Sequence, residues 1–277
     1  QTAGGYSFYK DCRTDRILRW APDNRFFDRP GRYIYAREVS GAKGKTKSAK
    51  VWSLTYQPLR VKPDFFECRH GLGYTSIATK YNGVKSNITY FVPVADDCEL
   101  WLVSLANETN KEKKLELYPY VEWLVGDYHE EIRYRNIMNL YNRMWFDEAH
   151  QLIWGWKTAS WADMNIKEFK DYGFFATSLD VKGYATRKTE FLGRYNTEEK
   201  PEAILQGNFK NSPLCSGEDG IGCFKNIVKL GPKQTKEFVV ILGMTEGQAN
   251  ALKLVSKYRA LGPVKKALDE TKAMWQK

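Results

Sequence analysis

The densest chemistry in the chain is "ECRHGLGYT", residues 67–75, where a carboxylate, a thiol, a guanidinium and an imidazole are consecutive and two glycines follow. In an extended segment Cys68 and His70 share a face and Arg69 points away. One reading is a Cys–His nucleophile pair. The other is a buried Cys and His at the start of a strand, with Gly71 and Gly73 allowing close backbone approach. The "GLG" lacks the third glycine and following helix of a dinucleotide loop. The chain has three histidines, His70, His129 and His150, none paired at metal-ligand spacing, and five cysteines without a C-x-x-C. No metal site, no cofactor and no disulfide framework are expected from that pattern.

A second group of chemical residues lies at 126–143, "GDYHEEIRYRNIMNLYNR". Glycoside hydrolysis needs a pair of carboxylates at a defined separation, and Asp127, Glu130 and Glu131 are candidates. The Tyr, Arg and Asn residues around them suit a sugar: aromatics stack on its apolar face, and Arg and Asn hydrogen-bond its hydroxyls. The stretch reads as a long loop between two strands. It is either a site carried on a rigid scaffold or a surface loop or short helix with solvated charges.

The elements that must position these residues read as antiparallel β. Strands are expected at 51–57, 72–80, 98–106, 115–125, 143–147, 151–157, 172–180, 226–230 and 236–243. Asn82-Gly83 is a two-residue hairpin turn. The strand after it should place Val84, Ile88, Tyr90 and Val92 on one face, opposite Lys85, Asn87 and Thr89. "NETNKEKK" and "GPKQT" are turns. From Glu246 the pattern becomes helical. Val264, Ala267, Leu268, Thr271, Met274 and Trp275 form one apolar stripe, and Gly262-Pro263 divides the segment into two helices. That stripe needs a surface to pack on, either the sandwich or a further domain.

The net charge is +10, from 43 Lys and Arg against 33 Asp and Glu. The cations are scattered among acids except at Lys43, Lys45, Lys47 and Lys50, which read as a flexible, solvated loop rather than a polyanion site. Asn87 and Asn107 head formal glycosylation sequons that also suit strand and turn. The chain begins with Gln1, which fits a processed chain or a piece of a longer one. No signal peptide is visible and no run reaches the roughly 18 apolar residues of a membrane span, so the chain reads as cytoplasmic and not membrane-bound.

Several segments in order, "GGYSFYKD" (4–11), "DRPGRYIYARE" (28–38), "VWSLTYQPLR" (51–60), "ECRHGLGYT", "YNGVKSNITYFVP" (81–93) and "YVEWLVGD" (120–127), resemble the N-terminal domain of the cellobiose phosphorylase family, glycoside hydrolase family 94. That family includes cellobiose, cellodextrin, chitobiose and laminaribiose phosphorylases and cyclic β-1,2-glucan synthases. The resemblance continues through "YNTEEKPEAILQGN" and "VVILGMTEG". It implies a mainly β fold, a large two-sheet antiparallel supersandwich of the galactose mutarotase-like type at 1–245, with C-terminal linker helices at 246–277. Those helices would lead to a catalytic (α/α)6 barrel that this chain does not contain. The implied reaction is inverting phosphorolysis of a β-glucoside, with inorganic phosphate as co-substrate and the acid on the barrel. The chain itself would then hold no catalytic residue and would serve in sugar binding and homodimer formation. Arg135 and Asn136 stand where relatives have an Arg-Asn pair near the acceptor sugar. "CRTDRILRWAPDN" and the Lys-rich 40–50 segment depart from the family pattern. The alternatives are a stand-alone carbohydrate-binding sandwich and a polyanion binder; the latter would show strongly salt-dependent binding.

Overall fold

The structure is a computed structural model that describes residues 4–19, 29–39, 49–158 and 169–276. Among these residues the chain forms two antiparallel sheets. The smaller, six-stranded sheet runs β12 (Val181–Arg187), β14 (Gly220–Leu230), β8 (Lys113–Gly126), β2 (Tyr33–Glu38), β3 (Lys50–Ser53). The short β1 (Arg16–Leu18) pairs with the far end of β8, beyond the reach of β2. The larger, nine-stranded sheet runs β13 (Leu214–Ser216), β9 (Asn142–Asp147), β10 (Leu152–Lys157), β11 (Asp171–Thr177), β15 (Thr235–Glu246), β7 (Cys98–Asn107), β6 (Val84–Phe91), β5 (Tyr74–Tyr81), β4 (Phe65–Gly71).

Strand parity builds the layers. On β8, Leu115, Leu117, Val121, Trp123 and Val125 face the other sheet and form the central core with Trp101, Val103, Phe175 and Val240. The alternate residues Tyr118 and Tyr120 turn outward and are also fully buried, with Tyr33, Tyr35 and Phe191. Their cover consists of two short helices, α2 (Lys188–Leu192) and α3 (Glu202–Gln206). A third core lies on the outer face of the large sheet, where Leu100, Trp154, Phe174 and Ile241 meet α4 (Gln248–Tyr258) and α5 (Leu261–Trp275). The order is therefore helices, large sheet, small sheet, helices. Between the sheets, a Cβ on Gly155 or Gly173 would lie 3.0 or 2.9 Å from the Trp123 ring, so absent side chains on β10 and β11 make the seat for that indole.

The mainly β, two-sheet architecture with C-terminal helices is as expected. Several local expectations change. β3 stops at Ser53, short of residue 57, and β11 stops at Thr177, short of 180. β5 starts at Tyr74, because Leu72-Gly73 is the turn of a β4–β5 hairpin, with Gly73 at φ +78°. The Asn82-Gly83 hairpin forms with both residues at positive φ (52° and 71°). Val84, Ile88 and Tyr90 are buried, but Val92 lies past the end of β6 and is 55% exposed. Asn107 is buried, its amide binding the Lys111, Leu230 and Gly231 carbonyls, so it is a turn clamp. Val264, Ala267, Leu268 and Thr271 pack on the chain's own large sheet, whereas Met274 and Trp275 are exposed. Of the Lys-rich 40–50 segment, Lys43, Lys45 and Lys47 lie outside the described residues; Lys50, in β3, donates to Asn82 Oδ1 (2.7 Å). No helix among the described residues is long and apolar enough to cross a membrane.

Candidate functional site

The expected loop at 126–143 is instead a helix, α1 (Tyr128–Tyr141), which carries the chain from the end of β8 in the small sheet to β9 in the large one. Asp127 caps it: its carboxylate accepts from the backbone N–H of His129 (2.6 Å) and Glu130 (3.1 Å). With Glu130 at the third helical position, the sequence carries half of a capping-box signature. The helix is kinked at Tyr134 (φ −137°).

The three candidate carboxylates are all held by structural partners. Asp127 is the cap. Glu130 is buried against Lys157 Nζ (3.5 Å). Glu131 is buried against Arg19 Nε (2.6 Å) and approaches Arg135 Nε (3.5 Å). Arg19 is the hub of this cluster. Its Nη1 lies 2.9 Å from Asp219 Oδ1 and its Nη2 donates to Asn139 Oδ1 (3.1 Å). The Nε and Nη1 contacts are ion pairs outside hydrogen-bond alignment. Asp219 also accepts from Asn139 Nδ2 (2.7 Å) and pairs with Arg135. Burial alone would raise the Asp219 carboxyl, but Arg19 and then Arg135 outweigh it and hold the group at about 2.

Arg135, Asn136 and Asn139 on α1 line a cavity of about 940 Å³ beside the small sheet's outer face. Its other walls are α2, α3 and the loop between them, which includes Arg194, Tyr195 and Asn196. The volume is within the range of ligand pockets, roughly 300–1,000 Å³. Lys188 closes the floor, bound to Glu122 (2.9 Å) and Glu198 (2.7 Å). Burial would lower its ammonium, yet the two carboxylates outweigh burial and raise it, so Lys188 is a fixed cation. Tyr120 in turn donates to Glu122 (2.8 Å).

Sequence reasoning names Arg135 and Asn136 but misses Arg19, Lys188, Tyr195 and Asp219. The available signal is punctuation. Gly193 follows α2, Pro201 precedes α3, and Gly207 at φ +70° ends α3, so "KTEFLG" and "PEAILQG" are two bounded helices.

"ECRHGLGYT" contributes nothing to this cavity. It is the outermost hairpin of the large sheet. Cys68 and His70 do share a face, Sγ to Nε2 3.5 Å, but His70 is exposed rather than buried and its Nδ1 contacts Thr75 Oγ1 (2.9 Å). Arg69 points the other way and pairs with Glu67 (2.9 Å). Gly73 has its close approach: a Cβ there would lie 2.5 Å from the Trp275 ring. No group of three or more metal-ligating side chains occurs among the described residues.

Comparison with known proteins agrees with this architecture. The chain is 30% identical over 276 residues to an N,N'-diacetylchitobiose phosphorylase of Vibrio furnissii, covering 99% of this chain and 32% of that protein. A solabiose phosphorylase of Paenibacillus borealis is 28% identical over 84% of this chain and 28% of its own length. The chain thus spans about a third of the length of these two relatives. A bacterial glucoamylase solved with acarbose superposes at TM-score 0.58 and 12% identity, over 99% of this chain and 34% of that one, which is a likeness of fold. Residues 1–261 match the family described as "Glycosyl hydrolase 94, supersandwich domain", and the chain belongs to that family.

Proposed function

We propose that this chain is the N-terminal, non-catalytic part of an inverting glycoside phosphorylase. The observation that carries the reading is the match of residues 1–261 to the supersandwich family, together with coverage of about a third of phosphorylase relatives. The catalytic barrel is then a partner region of the same enzyme, and the assembled enzyme is a cytoplasmic homodimer. The substrate class is a β-linked glucoside, cellobiose or a cello-oligosaccharide. Two relatives are named for N,N'-diacetylchitobiose, so that sugar belongs in the same assays.

In this reading phosphate attacks the anomeric carbon as a barrel acid protonates the leaving oxygen, and the product is an α-sugar 1-phosphate. Phosphate replaces the water of an inverting hydrolase, so one catalytic carboxylate suffices. The chain needs no carboxylate of its own for this, in keeping with Asp127, Glu130 and Glu131 being committed to a cap and ion pairs. No cofactor takes part; inorganic phosphate is the co-substrate. The chain's contribution is to present Arg135 and Asn136 to the acceptor sugar from α1. Arg135 is about half-exposed and is oriented by Asp219 and Glu131, leaving part of its donor fork for a hydroxyl.

In the full-length enzyme, Arg135→Ala should raise KM for the acceptor in the synthetic direction by about tenfold, the loss of one charged hydrogen bond, with kcat little changed. Unchanged kinetics with every acceptor would remove Arg135 from the site.

A further inference from the structure

The same cavity carries an aromatic residue with no evident structural duty. Tyr195 is 90% exposed, so its ring adds almost nothing to any core. Its backbone is in the left-handed region (φ +66°), which is costly for a bulky residue and recurs where a ligand or a reaction needs the side chain. The neighbouring Arg194 guanidinium lies over the ring at 5.1 Å from its centroid, a contact that limits how the ring can turn.

The charges around it balance: Arg135, Lys188, Arg194 and Lys210 face Glu190, Glu202, Glu218 and Asp219 across the lining. Several are also paired: Asp219 with Arg19 and Arg135, Lys188 with Glu122 and Glu198, and Glu190 with Arg187 (3.5 Å) and Ser212. The neutral groups are not: among the described residues the carboxamides of Asn136, Asn196 and Asn208, all lining the cavity, have no hydrogen-bond partner. A cavity with balanced charges, open carboxamides and a presented ring face suits a neutral polyhydroxylated ligand. The partly positive axial C–H bonds of a pyranose pack on the negative face of an aromatic ring. Carboxamides offer both donors and acceptors to its hydroxyls.

We propose that Tyr195 is a stacking platform for one pyranose ring of a neutral β-linked oligosaccharide, with Asn136, Asn196 and Asn208 binding hydroxyls around it. The assignment rests on reading the Arg135–Asn136 cavity as a carbohydrate site.

The test is an NMR titration of the 277-residue chain with cellotetraose, with maltotetraose as the α-linked control, on wild type, Tyr195→Ala, Tyr195→Phe and Arg135→Ala. The expected result is binding of cellotetraose with shifts at the Tyr195 ring, and about tenfold weaker binding by Tyr195→Ala, as for an aromatic hot spot. Tyr195→Phe should restore the affinity, and salt should change it little, because the ligand carries no charge. Matching melting curves will show that the exposed substitution leaves the fold intact. If Arg135→Ala weakens binding and Tyr195→Ala does not, the platform is overturned and the cavity reading stands. If wild type binds no cellotetraose, or binds it regardless of both substitutions, both readings fall.

Discussion

Arg19 is the residue on which the cavity wall depends. It is almost wholly buried and faces two carboxylates, Glu131 of α1 and Asp219 of the turn before β14. Removing Arg19 would leave Glu131 and Asp219 with Arg135 alone between them, which costs about 3–5 kcal/mol. Asp219 gives a measurable handle. Its folded pKa is about 2 against an ordinary 3.8. A lowered carboxylate contributes stability that is fully present above its ordinary pKa and is lost as pH falls through the folded value. The contribution is on the order of 1–2 kcal/mol once solvent screening is allowed for. Asp219→Asn should therefore lower the denaturation midpoint at neutral pH and flatten the loss of stability between about pH 4 and pH 2. An unchanged acid limb would mean that Asp219 is not held by the guanidinium groups. This cluster was hidden in the sequence because Arg19, Glu131 and Asp219 are remote in the chain and nothing local marks them as neighbours. By contrast, the Cys68–His70 relation followed from strand alternation alone. The sequence could not reveal that their strand is an edge, which is why His70 is exposed.

At the scale of elements, most strands were legible because their β-branched and aromatic residues stand between clear turns. α1 was not. Its buried positions are Glu130, Glu131, Met138 and Asn139, three of them polar, so no apolar stripe of helical period exists to be read. Tertiary ion pairs, not amphipathicity, hold it. The legible signal was Asp127 followed by Glu130, the start of a capped helix. Asp127→Ala should cost about 0.5–2 kcal/mol and should speed amide exchange at residues 129–131 while leaving the β-sheet amides unaffected. Uniform protection across α1 in the variant would show that the cap is dispensable. At the C-terminus the apolar stripe was visible, but its destination was not. Val264 and Leu268 turn to this chain's own sheet, and only Met274 and Trp275 remain on the surface.

At the scale of the molecule, β8 is buried along nearly its whole length because it is covered on both faces, by the large sheet and by α2 and α3. The two-sheet fold was legible from such strands, whereas the strand order was not, since β8 and β14, or β15 and β7, pair across long stretches of chain. The same double covering leaves the cavity at the helix-bearing side of the small sheet, where α1 presents Arg135 and Asn136. On the proposed function, this sandwich serves a phosphorylase without holding its catalytic acid. That is measured as release of the α-sugar 1-phosphate (glucose 1-phosphate from cellobiose or cello-oligosaccharides, N-acetylglucosamine 1-phosphate from N,N'-diacetylchitobiose) in the presence of phosphate, by the 277-residue chain alone and joined to its catalytic region. The joined enzyme should form product and the chain alone none; product from the chain alone would place a catalytic acid within these 277 residues.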